Sequence, residues 1–394
     1  ITGADMKASS NLNEIIQNAL DGGANQVYYT TISIDETALT QRLEDINASL
    51  NSAPTEPSFT VEISESGKPS FNYVDGSPGY GLDVASTMQM VKDAIAAGQL
   101  QTTIQPIVTA VQPTKTIADL QAHTSLIGEY TTTYDYKGTA EDTEEQRAII
   151  PNRAFNIEKA AGIINGQVIE PGERWSFNEV VGDRTEKNGW LEANGIYGGD
   201  TLKLQAGGGV CQASTTLYNA LLQSYPYYAD TFDRSHHSFP SNYVDKGLDA
   251  TVDTGHIDFA FTNNSDYPIY LFAYYSKNKM ASSRKRDLHV LVYGEALPEG
   301  TEYKTRPQLI ETIPAGDDII VNSSAMYVTD DPVTLADRRD GYVVDVYVDR
   351  YLNGQLQESI FLYTDRYPGN PAKIKVGTKA TPEPTVTPDP TIEG

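Results

Sequence analysis

Residues 207–222 read GGGVCQASTTLYNALL and are the most informative stretch of the 394-residue chain. Three consecutive glycines allow backbone conformations that other residues avoid, and they let a ligand approach the main chain closely. After them, Leu217, Ala220 and Leu221 keep helical spacing, which predicts a helix that begins near Cys211. A thiol at a helix N-terminus lies at the positive end of the helix dipole, where the thiolate is favoured. Free backbone N–H groups at the same place are suited to an oxyanion hole.

Cys211 is the only cysteine of the chain, which excludes an internal disulfide and any metal cluster built from several cysteines. A lone cysteine is either a small buried residue beside a glycine turn or a reactive thiol. The residue pattern by itself leaves both interpretations open. A nucleophilic thiolate needs a base, and the base needs a partner that orients it.

The candidate bases are few, because the chain has five histidines. Two of them stand in the sequence RSHHS at residues 234–238, and several aspartates follow. We predict His237 as the base and Asp249 as the residue that orients it. A metal site formed by His236, His237 and a nearby aspartate matches no zinc spacing and is not expected. Structural or surface roles are predicted for the other histidines, His123, His256 and His289.

A further candidate is Arg184, in the turn-like sequence GDRT at residues 182–185. Its planar guanidinium group is suited to binding a substrate carboxylate. An arginine in a turn also serves to tie the loop down through backbone hydrogen bonds, and the sequence does not separate these two roles. The aromatic residues on either side are predicted to belong to the core; they are Trp175, Phe177 and Trp190.

Patterns along the chain indicate several segments. Helical repeats occur at 39–50 and 84–95, and a hairpin is predicted at 59–73. Residues 342–348 and 359–363 are rich in β-branched and aromatic residues, which predicts a second hairpin. The sequence therefore predicts a multidomain α+β protein, with an α+β N-terminal domain at 1–120, a polar connecting segment at 121–150, an α+β catalytic domain at 151–295, a β-rich C-terminal module at 296–379 and a Pro/Thr-rich tail at 380–394.

The charge of the chain limits the partners that it can have. Its 29 basic and 53 acidic residues give a formal charge of −24. This argues against nucleic acid and anionic lipid as partners, since binding to either requires clustered Lys and Arg. No apolar run approaches the ~18 residues that cross a bilayer. The chain begins with Ile1 and not with Met, which leaves open a signal peptide or an N-terminal membrane anchor ahead of it.

The central segment resembles the VanW domain family over residues 151–275 or so, and its Gly-Gly-Gly-Val-Cys-Gln core is the most specific part of the resemblance. The other motifs are Asn156-Ile157, Pro171-Gly172-Glu173, Phe177-Asn178, Gly182-Asp183-Arg184-Thr185, His237-Ser238 and the stretch 243–252. The N-terminal part is similar to a peptidoglycan-binding domain that often precedes L,D-transpeptidase domains. The C-terminal part is similar to small β-rich modules of Gram-positive surface proteins.

Some members of this family act as L,D-transpeptidases. The resemblance therefore implies that Cys211 is the nucleophile, and His237 and Asp249 both fall on the family's motif. The residues that we expect to bind the substrate are Arg184, Gly208, Gly209, Gln212, Ser214 and His236.

The expected substrate is a peptidoglycan stem tetrapeptide, outside the cytoplasm, in the cell wall or at the outer face of the membrane. The Cys211 thiolate attacks the carbonyl before the terminal D-Ala, and D-Ala leaves with a proton from His237. The side-chain amine of a second stem then attacks the thioester and forms a 3→3 cross-link, and no cofactor is required. With water as acceptor the enzyme is an L,D-carboxypeptidase. The alternatives are a cysteine peptidase or amidase acting on other wall bonds, and a non-catalytic wall-binding protein in which Cys211 is merely packed.

Overall fold

The computed structural model describes residues 1–22, 26–197, 201–229, 231–277 and 284–381. The predicted Pro/Thr-rich tail therefore lies outside the described residues from position 382 onward. The chain forms two compact units. The first consists of residues 1–60 and 71–120, and the second consists of residues 61–70 and 121–394.

Helices and strands alternate in the N-terminal third of the chain, and strands dominate the C-terminal third. The helices are α1 (Leu12–Leu20), α2 (Glu36–Leu50), α3 (Val84–Ala96), α4 (Ile117–Ala122), α5 (Glu144–Ile164), α6 (Phe177–Val181) and α7 (Cys211–Leu222). The strands are β1 (Ser9–Ser10), β2 (Ile32–Ser33), β3 (Ser58–Ile63), β4 (Pro69–Val74), β5 (Gly79–Leu82), β6 (Val108–Val111), β7 (Ser125–Asp135), β8 (Gln167–Ile169), β9 (Arg174–Ser176), β10 (Glu192–Tyr197), β11 (Thr201–Ala206), β12 (Ala260–Thr262), β13 (Ile269–Lys277), β14 (Lys285–Gly294), β15 (Thr301–Ile313), β16 (Ile319–Tyr327), β17 (Val333–Ala336), β18 (Gly341–Leu352), β19 (Gln355–Tyr367) and β20 (Lys373–Lys379). This confirms a mixed content of helix and strand.

The first unit has a small core between α2 and α3. Leu39, Leu43, Leu82 and Val91 are buried there, and they hold the two helices together with β5. Both helices begin at an aspartate whose side chain accepts a hydrogen bond from the third residue after it, which satisfies one of the free N–H groups of the first turn. The helices predicted from the spacing of apolar residues are confirmed.

The second unit is built around a four-stranded antiparallel sheet with the order β7-β14-β13-β8. Helices α5 and α7 pack on it, and their apolar residues, such as Ile157, Leu217 and Leu221, are fully buried. Residues 125–135, which we interpreted as part of a polar connection, form β7. Their polar composition conceals an alternation in which Thr132 and Tyr134 face the core, and Ile127 is also buried, at an irregularity of the strand.

The C-terminal strands form two three-stranded sheets with the orders β15-β18-β19 and β16-β20-β17. Strands β18 and β19 confirm the predicted hairpin. Asn353 and Gly354 at its turn have φ angles of 50° and 76°, as a two-residue type I′ turn requires. Residues 296–379 lie in the same compact unit as residues 121–295.

Candidate active site

The glycine loop places Cys211 at the first position of α7, as predicted. Gly209 has a φ of 103°, a conformation that L-residues rarely adopt, and a Cβ there would lie 2.7 Å from Arg153 Cγ. Gly208 passes so close to the preceding hairpin that a Cβ would lie 2.3 Å from the carbonyl oxygen of Ala193. The loop therefore requires glycine for two reasons, backbone conformation and close packing.

Helix α7 is buried from Gln212 to Leu222, so its polar side chains must find partners inside the protein. Ser214 Oγ donates to the carbonyl oxygen of Ala250 at 2.6 Å, and Asn219 Nδ2 donates to that of Leu248 at 2.8 Å. These two bonds hold the chain on either side of Asp249. The helix that carries Cys211 therefore also positions the segment that carries Asp249.

The Cys211 thiol is half-buried and lies near two polar groups of the neighbouring segment. Its Sγ donates to the carbonyl oxygen of Val252 at 3.4 Å and lies 3.6 Å from Thr251 Oγ1. Burial raises the pKa of the thiol, but the hydrogen bond and the positive charge of His237 outweigh burial and lower the pKa to about 7. A lowered pKa is typical of the surroundings of a reactive thiol.

His237 and Asp249 form a close pair, as predicted. The distance from His237 Nδ1 to Asp249 Oδ2 is 2.6 Å, and the backbone N–H of His237 donates to the same oxygen at 2.6 Å. Both side chains are buried. Because Nδ1 is engaged with the carboxylate, Nε2 is the ring atom that remains for the thiol.

The pair carries opposite charges. Burial lowers the pKa of His237, but hydrogen bonds to Asp249 and Cys211 outweigh burial and raise it to about 10. Burial raises the pKa of Asp249, and its interactions with His237 reverse the effect and bring the pKa to about 2. The lowered pKa of Cys211 and the raised pKa of His237 both favour a thiolate and an imidazolium beside the Asp249 carboxylate.

Two cavities meet at Cys211. The first, of about 730 Å³, lies on the side of Arg184, His236 and Asp253. The second, of about 630 Å³, lies on the side of Arg153 and Tyr243. Cys211, His237 and Gly209 line both cavities. A substrate that reaches the thiol thus has room on two sides of it.

Most of the predicted substrate-binding residues line a cavity beside Cys211, and one does not. Those that line one of the cavities or both are Arg184, Gly208, Gly209, Gln212 and His236. Ser214 is fully buried under the loop and is absent from both linings. The side chain of Gln212 is fixed by Arg153, whose Nη2 donates a hydrogen bond to Gln212 Oε1 at 2.7 Å.

The surroundings of Arg184 bear on its two predicted roles, binding a substrate carboxylate and tying down the loop. Its Nη1 and Nη2 atoms are buried and have no hydrogen-bond partner within the described part of the chain. A guanidinium that tied the loop down would donate to backbone carbonyls through these atoms. Neither terminal nitrogen of Arg184 therefore ties the loop down, and the residue lines the first cavity.

Several residues of the site were not singled out in the sequence. Arg153 on α5 and Tyr243 line the second cavity, and His256 lines the first. His289 is bonded to Thr131 and Ser276 on the sheet, a structural role as predicted. Arg153 lies two residues after the start of the segment that resembles the VanW family, and nothing in the sequence around it predicted a role in the site.

The chain carries matches to two known families. Residues 152–283 match the family described as “VanW like protein”. This segment is a VanW-like domain. Residues 1–103 match the family described as “Putative peptidoglycan binding domain”.

The described helices include none that is both long and apolar enough to cross a membrane. Among the described residues, no group of three or more His, Cys, Asp and Glu side chains is placed to hold a metal ion.

Two curated proteins are similar to the region around the VanW-like domain. The uncharacterized protein YoaR of Bacillus subtilis is 36% identical over 165 residues, which are 40% of this chain and 48% of that protein. The vancomycin B-type resistance protein VanW of Enterococcus faecalis is 37% identical over 124 residues, which are 29% of this chain and 42% of that protein. The chain thus spans less than half the length of these relatives. Among solved structures, the IgA1 protease G5 domain matches 20% of this chain and 93% of its own, at 16% identity and a TM-score of 0.15.

We expect the Gly208→Ala variant to be less stable than the wild type by about 1–3 kcal/mol, because the new methyl group meets a backbone carbonyl that cannot yield. Chemical denaturation measures this difference. The matched control is Gly162→Ala on α5, where nothing lies within 4 Å of the added Cβ and alanine stabilises the helix by up to about 1 kcal/mol. Equal stability of Gly208→Ala and wild type would contradict the close approach to Ala193.

Proposed function

We propose that this chain is a cell-wall enzyme and that Cys211 is the nucleophile of an L,D-transpeptidase reaction on peptidoglycan stem peptides. The observation that carries the proposal is the row formed by Cys211, His237 and Asp249 at the point where two cavities meet. The matches to the VanW-like and peptidoglycan-binding families support the cell wall as its location. It acts outside the cytoplasm.

The first half of the reaction uses the charges of the site. The Cys211 thiolate forms a bond to the carbonyl carbon before the terminal D-Ala, and the π electrons of the carbonyl move to its oxygen. When the tetrahedral intermediate collapses, the C–N bond breaks and the His237 imidazolium gives its proton to the departing amine. D-Ala leaves, and a thioester remains on Cys211.

The oxyanion of this intermediate needs donors near Cys211. The backbone N–H groups of Gly209 and Cys211 donate to no acceptor within the described ranges of the chain, whereas those of Val210 and Gln212 do. Two free donors at the start of a helix are suited to the developing negative charge. We assign the oxyanion to these two groups.

The second half reverses the proton transfer. The amine of a second stem attacks the thioester carbonyl, His237 takes a proton from that amine, and the C–S bond breaks to restore the thiolate. The leaving amine and the attacking amine occupy the same place relative to the carbonyl, so both use one cavity. We assign the first cavity to D-Ala, because Arg184 lines it and its guanidinium nitrogens have no partner among the described residues. The D-Ala carboxylate would supply that partner.

The test is to incubate the protein with purified disaccharide-tetrapeptide and to analyse the products by mass spectrometry. Dimers that have lost one D-Ala support transpeptidation. Monomeric tripeptide instead indicates an L,D-carboxypeptidase, and cleavage at any other bond indicates a different wall peptidase or amidase. An unchanged substrate that is nevertheless bound favours the non-catalytic wall-binding protein.

The role of Arg184 makes a separate prediction. We expect Arg184→Met to lower kcat/KM for the tetrapeptide about 100-fold, because a charge-assisted contact to the D-Ala carboxylate is lost. With a donor that ends in D-alaninamide, wild type and variant should differ by less than about threefold. The matched control is Arg174→Met, since Arg174 is exposed and paired with Asp233. An equal loss with both donors would contradict the assignment.

A further inference from the structure

The two oxygens of the Asp249 carboxylate have different partners. Oδ2 accepts both hydrogen bonds from His237, as described above. Oδ1 accepts a hydrogen bond of 2.5 Å from the hydroxyl of Tyr367, the last residue of β19. Tyr367 is fully buried, and its hydroxyl also accepts the backbone N–H of Gly247 at 2.9 Å. One phenol thus contacts the carboxylate and the loop that carries it.

A second contact comes from the same face of β19. Asp365, two residues before Tyr367, accepts two hydrogen bonds of 2.7 Å from the guanidinium of Arg234. Arg234 in turn donates to the carbonyl oxygens of Asp249 at 2.6 Å and Gly247 at 3.0 Å. The backbone and the side chain of Asp249 are therefore both held by residues that depend on β19.

The charges of this arrangement alternate. Asp365 is paired with Arg234, and Arg234 Nη2 lies 3.6 Å from Asp249 Oδ1. All three side chains are almost completely buried, where an unpaired charge is costly. Arg234 and Tyr367 both lie at Oδ1 of Asp249, whereas the hydrogen bonds to Oδ2 come from His237.

We propose that Tyr367 and the Arg234–Asp365 pair are positioning residues that orient the Asp249 carboxylate toward His237, so that strand β19 completes the active site. Tyr367 and Asp365 lie outside residues 152–283, the segment that matches the VanW-like family. The catalytic part of this inference rests on the proposed function of Cys211. It implies that the VanW-like segment by itself lacks part of the support for its own site.

The test is the variant Tyr367→Phe, which removes one hydroxyl and keeps the ring. The first readout is the rate of Cys211 alkylation by iodoacetamide as a function of pH. We expect the inflection near pH 7 to move up by about one unit, because a less well oriented carboxylate stabilises the imidazolium less, and the imidazolium in turn stabilises the thiolate. The second readout is cross-linking, where we expect kcat to fall about tenfold with KM nearly unchanged.

Tyr367→Phe changes none of the charges around the site. The ionisable groups that interact with the His237–Asp249 pair are Cys211, Tyr218, Arg234, Tyr243 and Tyr367 itself. Arg153 and Arg184 act on Cys211, and His236 lies 4.0 Å from Asp365. The matched control is Tyr363→Phe on the same strand, whose hydroxyl contacts Tyr218 and the carbonyl oxygen of Gly247 and not Asp249. It should leave the alkylation profile at its wild-type position.

A double-mutant cycle separates positioning from a merely structural role. If Tyr367 acts through Asp249, then adding Tyr367→Phe to Asp249→Asn costs little further activity or thiol reactivity. An unshifted alkylation profile, independent effects in the cycle, or a Tyr367→Phe protein that no longer folds while Tyr363→Phe does would each overturn the proposal. Alkylation needs no cell-wall substrate. A shifted profile in a protein that leaves the tetrapeptide unchanged would therefore refute the proposed function and keep the positioning role.

Discussion

We expect the Cys211→Ala variant to lose cross-linking by about 10⁴-fold or more, because the reaction has no other nucleophile in the chain that could form the thioester. The same variant should bind the tetrapeptide with an affinity within about threefold of the wild type, since the cavity walls are unchanged. Product analysis by mass spectrometry measures the first effect, and calorimetry measures the second.

Cys211→Ser is the matched control for this prediction. It keeps a polar atom at the position, but a hydroxyl does not ionise near neutral pH, so the variant should be nearly as inactive as the alanine variant. In the wild type, intact-mass analysis during turnover should show the mass of a tripeptide donor added to Cys211. Cross-linking by Cys211→Ala at a rate near that of the wild type would remove the thiol from the mechanism.

The second large effect is expected from His237→Gln. Without the imidazolium, only the contacts with Val252 and Thr251 oppose burial, so the pKa of Cys211 should rise from about 7. Deprotonation of the thiol then occurs at higher pH, and alkylation at pH 7 slows accordingly. The variant also loses the acid that protonates D-Ala, and we expect kcat/KM to fall by about 10³-fold or more.

The dependence of wild-type activity on pH should reflect the ionisation of the same two groups, Cys211 and His237. Activity should rise as the thiol loses its proton near pH 7 and fall as the imidazolium loses its proton near pH 10, which gives a bell-shaped curve. His289→Gln is the matched control, because His289 is held by Thr131 and Ser276 on the sheet. It should leave both limbs in place. A His237→Gln protein with the alkylation profile of the wild type would show that His237 does not ionise the thiol.

Local features of the sequence were sufficient for several parts of this structure. The spacing of Leu217, Ala220 and Leu221 after three glycines predicted where α7 begins, because helix periodicity is a property of neighbouring residues. The β-branched and aromatic residues of 342–348 and 359–363 predicted their hairpin for the same reason. The pairing of His237 with Asp249 was also predicted, from their residue types and from the family motif on which both residues fall.

Other parts were hidden by local composition. The polar threonines of residues 131–133 suggested a connection, yet Thr132 bonds to Thr216 and lies inside the core as part of β7. Burial there depends on a partner on α7 that satisfies the hydroxyl, and such a partner is not visible in the segment itself. The two roles considered for Arg184 likewise differ in which atoms surround its guanidinium, and these atoms come from other segments of the chain.

The sequence by itself predicted a helix that begins near Cys211 and gave Cys211, His237 and Asp249 as candidate catalytic residues, since residue type, helical spacing and a family motif are all local properties. Only the tertiary structure decided that two cavities meet at Cys211 and that Asp249 is held by Tyr367, 118 positions further along the chain. The physical reason is that contacts of this kind are set by strand register and by the need to pair buried polar groups. Both are properties of the packed molecule, and no periodicity in the local sequence encodes them.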